Sequence, residues 1–197
     1  MTSTTNKSTG TLSAQEQERR RLRDLAAQRT IELVYFAHID QASWADHVLA
    51  KYGIGRPHHR VLYFSNKKPG ISVRELMALL RITNQALART TNQLVALGFL
   101  EQRYSLLDRR IRQNFVTNKG GALLAKLTRH QVDRVAAALE SLDEEGICDM
   151  WRGLEALARL EDRPWVMERP DFSAAADPDS GPASNLRQLR PKSSSKG

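Results

Sequence analysis

Apolar residues recur close to helical spacing in an early stretch of the chain that contains neither glycine nor proline. This stretch spans residues 13–51, and the spacing is typical of a helix with one buried face. Ser13 followed by Glu16 forms a capping-box pattern, in which both side chains satisfy free N–H groups at a helix start. We therefore predict one long helix that begins after Ser13 and ends before Gly53 and Pro57.

The next segment predicts a short helix, a turn and the start of another helix. Residues 57–66 carry apolar side chains at helical spacing, and the polar run 66–70 ends in Pro-Gly, which indicates a turn. Ser72 and Glu75 then repeat the capping-box pattern.

A second capped helix follows after a tight turn at Arg81-Ile82. Thr83 is placed to cap it, its apolar positions fall on one side, and Gly98 ends it. Residues 99–104 and 111–116 then read as two strands joined by a polar, charged turn, which predicts a hairpin. Two capped helices, a tight turn between them and a hairpin with arginine at its tip predict a winged helix-turn-helix.

Two further helices are predicted after the hairpin. Thr117 caps the first, Gly146 interrupts the helical pattern, and Pro164 stops the second. The fold class is therefore mainly α with a small β-hairpin wing, combining a DNA-binding lobe with a helical dimerisation lobe. The predicted boundaries are a disordered arm over 1–12, a winged-helix domain over 13–165 (DNA-binding lobe 55–118, dimerisation helices 13–54 and 119–165) and a disordered tail over 166–197.

Charge is distributed unevenly along the chain. The net charge is +8 over 197 residues, with a pI of about 10.0 and 41% apolar residues. Residues 71–118 carry seven arginines, no lysine and three acidic residues, whereas residues 119–162 carry an acidic excess. Arginine forms bidentate contacts with phosphate and with guanine. The basic excess over the predicted winged helix therefore favours a nucleic-acid partner.

Cysteine content and hydropathy narrow the class further. The single cysteine, Cys148, excludes a disulfide scaffold, and no apolar run approaches the roughly 20 residues that span a bilayer. We expect a cytoplasmic protein with no membrane contact. Cys148 fits either a small buried apolar residue or a redox-active thiol at a helix start.

The predicted DNA contacts lie on the second capped helix and on the hairpin. Asparagine and glutamine form bidentate pairs with adenine, alanine contacts a thymine methyl group, and arginine suits a narrow minor groove. We expect the acidic residue of the hairpin to orient an arginine by a charge-assisted bond. The predicted DNA-binding residues are Ser72, Thr83, Asn84, Gln85, Ala88, Arg89, Asp108, Arg109, Arg110 and Arg112.

Three segments resemble the multiple-antibiotic-resistance-regulator (MarR) family. The hairpin run Asp108-Arg109-Arg110 and the run 115–120 (Phe-Val-Thr-Asn-Lys-Gly) are similar to the family's wing signature, and Leu94-x-x-x-Gly98-Phe99-Leu100 is similar to its recognition-helix exit. The resemblance covers about residues 30–162. It implies a homodimer formed by helices from both chain ends, and two recognition helices about one DNA turn apart, hence a pseudo-palindromic operator.

The resemblance also implies an aromatic-lined cleft that receives a small phenolic or carboxylate ligand. The same aromatic side chains also fit an alternative role in the core and the interface. The candidate cleft residues are Tyr35, Trp44, Arg56, His59, Arg60 and Tyr63.

The sequence thus predicts a dimeric, sequence-specific DNA-binding regulator, a repressor released by a small ligand or a redox signal. The alternative is an architectural or co-regulatory winged helix that contacts proteins and does not respond to a ligand. We expect no enzyme and no catalytic residue, because the chain has no phosphate-binding glycine loop, no Gly-x-Ser-x-Gly and no His-Glu-x-x-His. No metal site and no cofactor are expected either, since no histidine pair has ligand spacing.

Overall fold

The computed structural model describes residues 13–169, so the predicted arm over 1–12 and the predicted tail from 170 onwards lie outside the described residues. The chain divides into two compact units, residues 1–44 and 45–197. The elements in chain order are α1 (Ala14–Ala50), α2 (Arg56–Lys67), β1 (Ile71–Ser72), α3 (Val73–Leu80), α4 (Asn84–Ala96), β2 (Leu100–Tyr104), β3 (Arg112–Val116), α5 (Asn118–Leu139), α6 (Glu144–Leu157) and a 3₁₀ helix (Leu160–Trp165). The predicted fold class, mainly α with a small antiparallel sheet, is confirmed.

The first unit consists of most of α1. Its predicted capping box is present: the Glu16 amide donates to Ser13 Oγ (3.3 Å), and the Ser13 amide donates to Glu16 Oε2 (2.8 Å). The side chains of residues 13–38 are exposed, including large apolar ones. Those at least 40% exposed are Leu22, Leu25, Ile31, Leu33, Val34, Tyr35 and Phe36.

The second unit begins in the last turns of α1 and contains the helix-turn-helix. The capping box at Ser72 and Glu75 opens α3 as predicted, and Thr83 Oγ1 accepts the Ala86 amide to cap α4. Arg81 between the two helices has a left-handed backbone with φ 53°. That conformation is costly for a side-chain-bearing residue, and it turns the chain sharply enough for Thr83, the cap of α4, to follow two residues later.

The sheet has three strands in the order β1-β3-β2, all antiparallel. Strand β1 was not predicted, because two residues are too short to show an alternating pattern. Its pairing with β3 depends on Asn114, which is fully buried. The side-chain nitrogen of Asn114, Nδ2, donates to the Ile71 carbonyl (2.9 Å), and Asn114 Oδ1 accepts from Gln102 Nε2 (2.9 Å). One side chain thus connects all three strands.

Leucines dominate the core of the second unit. α2, α3, α4, α5 and the sheet each contribute side chains that are at most 2% exposed. These are Val61, Leu62, Ile71, Leu76, Leu87, Leu94, Phe99, Leu100 and Leu127. Because these side chains are buried together, α4 packs against the sheet through its apolar face. The opposite face of α4 is directed outward.

Two helix boundaries differ from the sequence prediction. The predicted interruption at Gly146 is wrong: Gly146 lies in the first turn of α6, where its amide donates to Asp143 Oδ1 (2.8 Å). Pro164 does not stop this helix either, because α6 ends at Leu157 and Pro164 lies inside the following 3₁₀ helix. A glycine within the first turn is compatible with a helix start when a side chain caps that turn.

Candidate nucleic-acid interface

Helix α4 exposes its N-terminal polar face to solvent. Leu87 and Leu94 are fully buried, so the positions on the opposite side of the helix are directed outward. The exposed residues of this face are Thr83, Asn84, Gln85, Ala88 and Arg89. Within residues 13–169 the side chains of Asn84, Gln85 and Arg89 have no hydrogen-bond or ion-pair partner. Donors and acceptors with no intramolecular partner are free for base edges and phosphates.

The sequence interpretation did not include two further exposed residues of the helix-turn-helix. Asn92 is exposed on α4, four residues after Ala88 and therefore on the same side of the helix. Arg74 is exposed in the first turn of α3. The i, i+4 spacing from Ala88 was a signal that pointed to Asn92.

A histidine on α2 fixes the position of α4. His58 Nδ1 accepts the Gly55 amide (3.1 Å), so its other nitrogen, Nε2, carries the proton and donates to Gln93 Oε1 (3.0 Å). Gln93 Nε2 in turn donates to the Gly53 carbonyl (2.9 Å). The loop between α1 and α2, helix α2 and helix α4 are thereby joined by one chain of hydrogen bonds.

The hairpin tip, residues 105–111, is a closed turn that we call the wing tip. The Ser105 amide donates to the Ile111 carbonyl (2.8 Å), and the Ile111 amide donates to the Asp108 carbonyl (2.9 Å). Asp108 Oδ1 accepts the backbone amide of Arg110 (2.9 Å). Asp108 thus contacts an arginine through that residue's backbone N–H, two residues on, as in an Asx turn. Orientation of a wing arginine by Asp108 stays a prediction.

The arginines of the wing differ in how strongly the protein engages them. Arg109 and Arg110 are exposed, and within the described part of the chain their guanidinium groups have no partner. Arg112 lies on β3, where its guanidinium contacts Gln102 (3.4 Å) and lies 5.8 Å from the Tyr104 ring centroid. Arg103 is held by both carboxylate oxygens of Glu101 (2.7 and 2.9 Å). The wing tip therefore carries the two arginines that are available to a polyanion.

The wing is attached firmly to α5. Thr117 Oγ1 donates to the Gly98 carbonyl (2.7 Å) and accepts the Gly120 amide (3.1 Å). Lys119 Nζ donates to the Leu97 carbonyl (2.8 Å). These bonds tie residues 97 and 98, which follow α4, to the start of α5.

Ser72 is half-buried and its hydroxyl is occupied. It donates to Glu75 Oε2 (2.7 Å) and accepts the Glu75 amide (3.2 Å). Partial burial alone raises the pKa of Glu75, but hydrogen bonds from Lys68 (2.5 Å) and Ser72 outweigh it and lower that pKa to about 2. The acidic residue is thus ionised at neutral pH and stabilises the start of α3. A contact of Ser72 with DNA stays a prediction.

The candidate cleft residues fall in both units. Tyr35, whose ring meets Phe36 edge-on, and Trp44 belong to the unit of residues 1–44; the others lie on α2. Arg56 is already paired with Asp46 (2.6 Å). Burial, with a smaller contribution from Arg60, lowers the pKa of His59, against the opposing charge of Asp46. On α2, Arg60 and Tyr63 are exposed and lie one helical turn apart. The cleft stays a prediction.

Other site classes find no support in the described chain. Among residues 13–169, no group of three or more histidine, cysteine or acidic side chains is arranged to hold a metal ion. Over the same residues, none of the helices has the length and apolar character needed to cross a membrane.

A helix-turn-helix with an outward polar face, followed by an arginine-tipped antiparallel hairpin, places this chain in the class of winged helix-turn-helix proteins. A family model described as the MarR family matches residues 52–111. The HTH-type transcriptional regulator PetP of Rhodobacter capsulatus is 32% identical over 136 residues, covering 69% of this chain and 82% of that protein. The chain belongs to the MarR family of transcriptional regulators. Because this family consists of DNA-binding regulators, the expectation that the chain is not an enzyme is confirmed.

Solved structures share the fold. The crystal structure of Streptococcus pneumoniae FabT in complex with DNA has a TM-score of 0.58 and 21% identity, covering 66% of this chain and 94% of that one. A MarR transcriptional regulator from Methanosarcina mazei Go1 has a TM-score of 0.57 and 21% identity, covering 71% and 99%. At these identities the likeness concerns the fold.

Proposed function

We propose that this protein is a cytoplasmic homodimer that binds a pseudo-palindromic DNA operator, represses transcription there and is released by a small ligand or a redox signal. The observation that carries the proposal is a pair of outward surfaces on the second unit: the polar face of α4, and Arg109 and Arg110 of the wing tip, whose guanidinium groups have no partner among residues 13–169. A helix of this kind fits the major groove, and arginines beside it suit the minor groove. The solved FabT complex, which contains DNA, supports this use of the fold.

Dimerisation is supported by the apolar side chains left exposed in a single chain. Besides those of α1, the terminal helices α5 and α6 expose apolar residues that the second unit does not cover. These are Val132, Val135, Leu154 and Leu157, all more than 40% exposed. A two-fold dimer would bury them and present two copies of α4 to one face of DNA, which explains why a pseudo-palindromic site is expected.

Repression follows from occupancy of a promoter, and release requires a signal that binds one dimer geometry better than the other. On α2, Arg60 offers an exposed cation and Tyr63 an exposed ring, a combination that suits an aromatic carboxylate. In thermal-shift measurements, salicylate and benzoate should raise the melting temperature of the wild-type chain but not that of Arg60→Ala. The redox alternative rests on Cys148, which is half-buried.

Binding to defined DNA tests the central claim. The full-length chain is used to enrich a randomised duplex pool, and one enriched duplex is titrated by fluorescence anisotropy at several salt concentrations. We expect a common, two-fold related sequence and a steep loss of affinity with salt. Arg110→Ala should weaken binding and reduce the salt slope by about two, roughly one for each protomer of the dimer.

Arg129→Ala is the matched control, since Arg129 is also an exposed arginine but lies on α5 and pairs with Asp133. It should leave both the affinity and the slope unchanged. Binding that is independent of sequence would contradict the proposal and favour the architectural or co-regulatory alternative.

A further inference from the structure

The wing tip presents two adjacent leucines entirely to solvent. Leu106 is 102% exposed and Leu107 99% exposed, the most exposed large apolar side chains in the described part of the chain. Single exposed apolar residues are ordinary on protein surfaces. Two together at the end of a protruding hairpin are not explained by the core, the sheet or the helix-turn-helix. We call them the leucine pair.

The backbone of the wing tip holds the leucine pair away from the protein. The Leu107 amide donates to Ser105 Oγ (3.2 Å), and Ser105 itself is buried. On the other side, Asp108 accepts amides from Arg110 and Ile111 at 2.9 Å each. Since hydrogen bonds close the turn on both sides of the pair, little backbone conformational entropy remains to be lost on binding.

The surroundings of the leucine pair are basic. Arg109 and Arg110 follow it within the same turn and have no partner in the structure as described. A surface that complements this tip must combine negative charge with apolar groups. The DNA minor groove does so, because two rows of phosphates border sugar walls and base edges, and other DNA-binding proteins insert leucine or isoleucine there.

We propose that the leucine pair enters the DNA minor groove beside the wing arginines and packs against deoxyribose and the edge of a base step. This inference rests on the proposed function, since it assigns a further contact to the same DNA-binding surface. Insertion opens and unstacks a step most easily where the step is flexible, as at pyrimidine–purine steps. The leucine pair would thus add sequence preference at the outer parts of the operator without any hydrogen bond to a base.

Apolar contact has a signature that separates it from arginine contact. A leucine neutralises no phosphate, so its removal does not change the number of counterions released when the protein binds DNA. The salt slope therefore stays the same while the affinity falls. Removing a wing arginine lowers both.

The test uses the full-length chain and one duplex enriched on it, with 2-aminopurine placed at an outer pyrimidine–purine step. The double variant Leu106→Ser/Leu107→Ser should bind about tenfold more weakly, the loss expected when two leucines each forfeit part of their burial. Its salt slope should equal that of the wild type, and the rise in 2-aminopurine fluorescence on binding should disappear. The variant Leu106→Met/Leu107→Met keeps the apolar surface and should retain both affinity and fluorescence.

Because both leucines are fully exposed, neither variant removes a core contact, and equal melting temperatures would establish that the fold is intact. Wild-type affinity and fluorescence in the serine variant would overturn the inference and leave the leucine pair to a protein partner or to solvent. If enrichment yields no common sequence, the proposed sequence-specific function fails instead. The serine variant's affinity for an unselected duplex would then still decide whether the leucine pair contacts DNA.

Discussion

Two adjacent glycines at the start of α5 have opposite surroundings, and this difference predicts opposite effects of alanine. A Cβ on Gly120 would lie 2.1 Å from the Phe99 carbonyl oxygen and 3.0 Å from Val116 Cγ1. A Cβ on Gly121 would have no atom within 4 Å. Both residues are helical, so alanine has the same intrinsic advantage at each, at most about 1 kcal/mol. The difference between the two variants therefore measures the close approach of α5 to the wing.

The magnitude follows from the distance. Ordinary contact begins near 3.4 Å, so the Phe99 carbonyl must move by roughly 1.3 Å relative to α5, and both sides of this contact are backbone. Overpacking of this kind costs about 1–3 kcal/mol or more. The movement also strains the bond that the same carbonyl accepts from the Thr117 amide (3.2 Å), worth about 1 kcal/mol. We expect Gly120→Ala to be destabilised by about 2–3 kcal/mol and Gly121→Ala to be neutral or slightly stabilised.

Urea unfolding followed by tryptophan fluorescence and circular dichroism measures both variants. All samples are compared at one protomer concentration, because association would shift the midpoint. With an m-value of about 1–3 kcal/mol/M, the midpoint of Gly120→Ala should fall by about 1 M or more below that of Gly121→Ala. A free energy of unfolding for Gly120→Ala within about 0.5 kcal/mol of wild type would refute this reasoning, since backbone relaxation would then have absorbed the clash.

Two further predictions concern the helix starts that frame α4. The pKa of Glu75 is lowered from 4.5 to about 2, so its ionised form stabilises the fold above pH 4.5, and this contribution is lost as the pH falls from 4.5 towards 2. Glu75→Gln removes the charge paired with Lys68, so the melting temperature of this variant should depend less on pH between pH 5 and 2. Parallel curves for wild type and variant would contradict this reasoning. His58→Ala removes the partner of the Gly55 amide and of the Gln93 side chain, so its free energy of unfolding in urea should fall by about 1–2 kcal/mol. His58→Asn can still accept the Gly55 amide and should recover part of this loss. Equal stability of the alanine variant and the wild type would show that water replaces these bonds without cost.

The helix starts were predictable from the sequence because capping is a local interaction. The side chains at Ser13, Ser72 and Thr83 satisfy amides only three residues away, so the pattern and its physical cause lie within one turn. The outward face of α4 followed for a similar reason: helical periodicity alone separates Leu87 and Leu94 from their polar neighbours. Membership of the winged-helix class was therefore readable from the order of these signals.

The misjudged features are those whose cause lies elsewhere in the chain or in the fine geometry of a turn. The two-residue strand β1 exists because Asn114, more than 40 residues away, bonds to the Ile71 carbonyl. Gly146 is the exception, since the Asp143 cap that admits it to a first turn lies only three residues away and is a local signal. Asp108 was expected to orient an arginine by a charge-assisted bond, and the turn places the backbone amide of Arg110, 2.9 Å from its carboxylate, in the role of donor.

The sequence by itself determined the order of helices, the hairpin and the basic character of the region that carries them, because each depends on residues within a few positions of one another. Only the tertiary structure decided which of those charges are available. Arg103 and Arg112 are engaged by neighbours on the sheet, while Arg109 and Arg110 are not. Availability is a property of three-dimensional neighbours, and a linear pattern of residue types does not contain it.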